Sequence, residues 1–168
     1  MALFYGALGI FDIKKVCNVV KKVAENYTLV PFKIKGFEIK NGEQGKVLAA
    51  SVFASSELKT LRKELSKELS RVCVTHRFDK QSDFWFHTTI AFKDIDKVSN
   101  RIRNYLKEKE TLNINQHLVR ITVLSKSRII IGEYDLILKK WLNRREALDK
   151  RLFQKTISKL KGSLGFTQ

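Results

Sequence analysis

The stretch Phe84-Trp85-Phe86-His87-Thr88-Thr89-Ile90-Ala91-Phe92 is where residue types and spacing in this chain could do chemistry. In a strand, successive side chains point to opposite faces. His87, Thr89 and Ala91 would then share one face. Thr88, Ile90 and Phe92 would share the other, which suits the core. An imidazole beside a hydroxyl can work on a phosphoester. The histidine gives a proton to an ester oxygen, or takes one, and the hydroxyl donates to a non-bridging oxygen. A bare His-x-Thr tripeptide also describes a sheet histidine bonded to a nearby carboxylate or carbonyl, so its neighbourhood has to decide.

Two other histidines are candidates. His76, in Thr75-His76-Arg77, is either a substitute acid–base group entering a cleft or a solvated loop residue. His117 opens a strand whose face also carries Val119, Ile121 and Val123, which suits a core or edge histidine. Aromatic residues gather at Phe78, Phe84, Trp85 and Phe86. They could stack on the bases of single-stranded RNA, although alternation turns one set of them inward.

Lys and Arg total 33 against 17 Asp and Glu, a formal net charge of +16. A field of that sign favours a polyanionic partner, nucleic acid ahead of an anionic membrane; the plainer reading is a lysine-rich solvated surface. A last helix is expected over 140–161. On its wheel Lys140, Arg144, Arg151 and Lys155 fall in one narrow arc, and Trp141, Leu148, Leu152 and Leu160 lie elsewhere. Such a ridge could follow a phosphate backbone or simply face solvent. Arg120 alternates with Ile121 onto the face of Thr122. It is either a phosphate contact or one half of an ion pair with Glu133 or Asp135 on the next strand.

The elements that must position these residues follow from periodicity. A helix is expected from Asp12 to Asn26, capped by Asp12, with Ile13, Val16, Cys17, Val20 and Ala24 inward. Cys17 therefore reads as a buried, inert thiol. Strands are expected at Pro31–Lys40 and Val47–Ala54, with a turn at 41–45. Ser55 or Ser56 caps a helix through Arg71 with a stripe of Leu58, Leu61, Leu65, Leu69 and Val72. The His87 strand is expected over Phe84–Phe92, and a helix capped by Asp94 follows. Two more strands are expected at Leu118–Leu124 and Arg128–Leu138. Strands and helices without strict alternation give an α+β fold.

Order and motif together resemble a known family. Val30-Pro31-Phe32-Lys33-Ile34-Lys35-Gly36-Phe37, Ser55-Ser56-Glu57-Leu58-Lys59-Thr60-Leu61 and His87-Thr88-Thr89-Ile90 resemble the two-histidine phosphoesterase superfamily, in its 2′-5′ RNA ligase and cyclic phosphodiesterase branch. The tail segments Glu133-Tyr134-Asp135-Leu136 and Leu142-Asn143-Arg144-Arg145-Glu146-Ala147-Leu148 resemble an archaeal subset of it. The resemblance implies a bilobal single domain of antiparallel sheets flanked by helices, with two His-x-Thr/Ser motifs facing one cleft. One histidine would be base and the other acid on a 2′,3′-cyclic phosphate or a 2′-5′ linkage, with no metal and no cofactor. His87 and Thr89 match the second motif. Leu3-Phe4-Tyr5-Gly6-Ala7 resembles the residues that follow the first, with Ala2 where its Thr or Ser should stand. The expectation is an N-terminally incomplete member with impaired turnover or, alternatively, a non-catalytic RNA-binding protein of the same fold. The implied partner is RNA, tRNA-like or ending in a 2′,3′-cyclic phosphate.

At 168 residues the chain suits one domain with a real core. No apolar run is long enough for a membrane span, the start lacks a basic lead-in, and two cysteines make no disulfide framework. A reduced, cytoplasmic protein is expected. An incomplete sheet should expose an edge, so a homodimer is expected, by edge pairing or by exchange of Leu3–Leu8.

Overall fold

A computed structural model describes residues 1–4, 12–42, 45–80, 84–92, 94–107 and 112–165. Of the segment expected to exchange between copies, residues 5–8 lie outside the described part. The architecture is α+β. One antiparallel sheet has four strands in the order β3-β2-β1-β4, formed by β1 (Val30–Gly42), β2 (Gly45–Ala54), β3 (His87–Phe92) and β4 (Asn113–Leu118). A second has three, β5-β6-β7, from β5 (Arg120–Leu124), β6 (Ile130–Asp135) and β7 (Lys140–Asn143). The strand expected over Leu118–Leu124 is thus two strands in two sheets, broken at Val119.

Helix α1 (Ile13–Ala24) starts where Asp12 accepts the backbone N–H groups of Lys14 and Lys15. Helix α2 (Ser56–Leu69) starts where Ser55 accepts from Leu58. Each cap satisfies donors that the first turn leaves orphaned. Both helices turn their apolar stripes inward. Val16, Val20, Val23 and Ala24 of α1 meet Leu58, Leu61, Leu65 and Leu69 of α2. The same cluster takes in Val30 and Val52 of the first sheet and Ile121, Val123 and Tyr134 of the second, so one core joins both sheets.

Two glycines carry backbone arguments. At Gly36, φ is +69° and the β1–β2 register shifts between Ile34 and Phe37. Only glycine adopts that conformation without strain, and the bulge explains why the apolar phase moves from Phe32 and Ile34 to Phe37 and Ile39. At Gly132 a Cβ would meet Trp141 Cζ2 at 2.4 Å and the Leu142 carbonyl oxygen at 3.0 Å, so β6 and β7 close only over a residue without a side chain.

Three expectations fail here. The helix after Asp94 begins only at Ser99, as α3 (Ser99–Lys107), and a turn holds Asp96 against the start of β2 through Lys46 N–H. The single helix over 140–161 is instead β7, α4 (Arg144–Ala147) and α5 (Lys150–Ser163). Asn143 and Glu146 form a reciprocal capping box, and Asp149 caps again at Arg151 and Leu152. Two caps in seven residues break the wheel, so Lys140, Arg144, Arg151 and Lys155 do not form one ridge. Finally, Thr88, Ile90 and Phe92 are exposed rather than core. β3 is an edge strand outboard of α2, which packs on β1 and β2. A bulge at Ile90 also puts Ala91 opposite Leu48 and Phe92 opposite Val47, reversing their faces.

Candidate functional site

Residues directly opposite in an antiparallel pair share a face. His87 lies opposite Ser51, Thr89 opposite Ala49, and Ala49 opposite Glu38. Val52 and Ile34 point the other way, into the core. The face away from the helices therefore carries His87, Thr89, Ser51 and Glu38 together. Farther along it lie Phe53 and Lys33, which are opposite one another, and then Asn115.

Trp85 organises this corner. Its ring stacks on His87 at 3.7 Å between centroids and 14° between planes. Its Nε1 donates to Glu38 Oε1 at 2.5 Å. Because β2 separates Glu38 from His87, the indole spans that strand, where Ala49 and Ser51 are small enough to lie beneath it. Ser51 Oγ donates to the same Glu38 oxygen at 2.8 Å, and Lys40 Nζ sits 3.1 Å from Oε2 and 4.4 Å from the Trp85 ring centre. Burial pushes the Glu38 carboxyl up, but the bonds from Trp85, Ser51 and Lys40 together outweigh it and hold the carboxyl below its ordinary 4.5. A depressed carboxylate stabilises the fold above its unfolded value and loses that contribution as pH falls through the folded one.

His87 Nδ1 lies 2.9 Å from the Trp85 carbonyl oxygen. A carbonyl only accepts, so Nδ1 carries the proton and Nε2 is the free nitrogen of the neutral ring. The ring is half-buried and held by both stack and bond. Thr89 is exposed on the same face, and its hydroxyl bonds to no described residue. The corner thus offers a positioned imidazole nitrogen and a hydroxyl on one sheet face, while the Lys40 ammonium lies against the Trp85 ring and pairs with Glu38. Beyond it, Lys35 lies 5.9 Å from the centre of the exposed Phe53 ring.

The other sequence candidates lie apart from this corner. His76 closes the 3₁₀ turn Arg77–Lys80. Its Nδ1 accepts the Phe78 N–H and its own N–H donates to Asp79 Oδ2. These bonds give the imidazole a turn-closing role. His117 sits on β4 opposite Pro31, on the same face but at the far edge of the sheet.

Arg120 resolves as the ion pair, with a side chain only 7% exposed. Nε donates to Asp135 and Nη1 to Glu133 and the Ala147 carbonyl. Nη2 donates to Thr156, and Phe153 lies under the guanidinium. Every nitrogen is engaged within the second sheet, α4 and α5, in a buried network rather than at a phosphate-facing surface. Lys140 pairs with Glu146 on the surface; Arg144, Arg151 and Lys155 are exposed but do not line up in one stripe.

Glu38, Ser51 and Lys40 were missed as site residues. The signal was there: past the Gly36 bulge, Glu38 and Lys40 alternate with Phe37 and Ile39. Among the described residues no three His, Cys, Asp or Glu converge as a metal site would need, and no helix is long and apolar enough to cross a membrane. Compared with family models, curated proteins and solved structures, the chain finds no match.

Proposed function

We propose that this sheet face receives the phosphate end of an RNA, and that His87 exchanges a proton with the phosphoester as in the two-histidine phosphoesterases. One observation carries the reading: His87 is tied through Nδ1 to the Trp85 carbonyl, which leaves Nε2 free beside the exposed Thr89 hydroxyl. In that arrangement Nε2 is the acid or base and Thr89 donates to a non-bridging oxygen. The net charge of +16 supplies long-range attraction for RNA. A second reading, RNA binding without turnover, is favoured by the single imidazole at this corner, since base and acid act on opposite sides of the phosphorus.

The test is titration with 2′- and 3′-phosphate mononucleotides, followed by NMR of the imidazole and the Thr89 amide. Saturable shifts at both are expected, and His87→Ala should abolish the Thr89 response while the fold persists. Resonances of His87 and Thr89 that ignore both nucleotides would remove the reading.

A further inference from the structure

A second feature lies away from the sheet face, between α2 and the 3₁₀ turn. Arg62, Ser66 and Ser70 recur every fourth residue on α2, with Lys63 and Lys67 one place on. They line a concave pocket of about 420 Å³ with Thr75, Asp79 and Lys80. Four cationic side chains thus face one carboxylate, that of Asp79, which already accepts the His76 N–H. Lys63, Lys67 and Lys80 pair with no acid among the described residues.

Arg62 is the unusual member. It is 8% exposed, which is rare for an arginine, and Asp79 is the carboxylate that faces its charge. One face of its guanidinium lies 4.1 Å from the Phe84 ring centre. Nη2 donates to the Phe78 and Asp79 carbonyls, at 3.4 and 3.0 Å. Nε has no acceptor among the described residues. A buried donor left unmade costs more than a satisfied one returns, so such a group points to a missing acceptor.

We propose that this pocket is a phosphate site, with Arg62 at its floor and Lys63, Lys67 and Lys80 at its rim. A guanidinium matches phosphate oxygens in a fork, and the Ser66 and Ser70 hydroxyls stand on the same helix face. Both hydroxyls now donate to carbonyls, Ser66 to Asp79 and Ser70 to Lys67, and can rotate towards a better acceptor. The C-terminal end of α2 opposes an anion with roughly half a unit of negative charge, which the surplus of cations outweighs. The desolvated Arg62 charge gains a second counter-charge beside Asp79. The phosphate is either a free or terminal one or a diester of an RNA backbone; the chemistry of capture is the same. This site does not depend on the role of His87.

The experiment titrates the intact chain with inorganic phosphate, at ionic strength held constant with chloride, while NMR follows the Arg62 Nε–H and the Thr75 amide. Saturable shifts at both support the site. A parallel arm uses an oligoribonucleotide without terminal phosphates. Shifts there assign the backbone diester, and shifts with inorganic phosphate alone assign the free or terminal group. The Lys67 and Lys80 side chains are exposed and make no hydrogen bond or ion pair among the described residues, so Lys67→Glu with Lys80→Glu should keep the thermal midpoint and weaken binding by about tenfold or more. His87→Ala should leave this response unchanged. Absence of saturable shifts in both arms, shifts reproduced by chloride, or a double variant that binds as tightly as the parent would each overturn the proposal.

Discussion

Asp135→Ala should cost about 3–5 kcal/mol, the usual result of removing one partner from a buried ion pair. Asp135 is fully buried, and four donors converge on its carboxylate. Oδ2 takes Arg120 Nε at 3.0 Å and the Thr156 hydroxyl at 2.5 Å. Oδ1 takes the N–H groups of Ile137 and Leu138, which ends β6 and turns the chain towards β7. The alanine variant would leave Glu133 as Arg120's one carboxylate partner and orphan two backbone donors. Against a total stability of about 5–15 kcal/mol, that brings the domain near its unfolding threshold. Asp135→Asn keeps an acceptor for the turn and should cost less. Urea unfolding measures both. A midpoint shift worth under about 1 kcal/mol for the alanine variant would mean that the network is not the brace described here.

Hydrolysis of a 2′,3′-cyclic phosphate nucleotide should fall about 10²–10⁴-fold on His87→Ala, the typical weight of one positioned general acid or base. With one imidazole at this corner, water must supply or accept the opposite proton, so the parent rate should itself be slow. The informative quantity is therefore the ratio between parent and variant. His87 is half-buried on the outer face, so circular dichroism and thermal midpoint should barely change. Trp85→Phe separates positioning from chemistry: it keeps the backbone carbonyl that holds Nδ1 but loses the bond to Glu38. Its loss should be smaller and should appear partly in KM. Equal hydrolysis by parent and His87→Ala would show that any activity comes from elsewhere, and would leave phosphate binding without turnover.

Much of the first half of the fold was legible. Asp12 and Ser55 announce their helices, the leucine stripe of α2 is regular, and the phase change at Gly36 betrays its bulge. Local rules held there because each element's pattern agreed with its neighbours. Where they failed, a competing local signal was present. The 140–161 stretch has helical periodicity, but Asn143-x-x-Glu146 and Asp149 are start signals, and they divide it. Periodicity also placed Thr88, Ile90 and Phe92 in the core, because alternation cannot reveal that a strand is at an edge or carries a bulge. At the candidate site, His87 and Thr89 were readable as a pair. The Glu38–Trp85 bond was not, since it joins residues 47 positions apart. Arg62 was invisible because one charged residue in a leucine-rich helix looks like its solvent side.

The short reach of the Arg120 network bears on the order of assembly. All its partners lie within 36 positions of Arg120, the most distant being Thr156. By contrast, β1 meets β4 only when Val30 finds Leu118 across most of the chain. Loop-closure entropy rises with the logarithm of loop length, which makes the second event about 0.8 kcal/mol harder before any contact rewards it. The C-terminal sheet with its arginine brace can therefore close first and offer Ile121, Val123 and Tyr134 as a surface on which α1 condenses. Amide protection during refolding should appear in β5 and β6 before β4. On that timetable the histidine corner, whose Ser51–His87 pairing spans the same 36 positions, becomes competent before β4 docks on the opposite edge of its sheet.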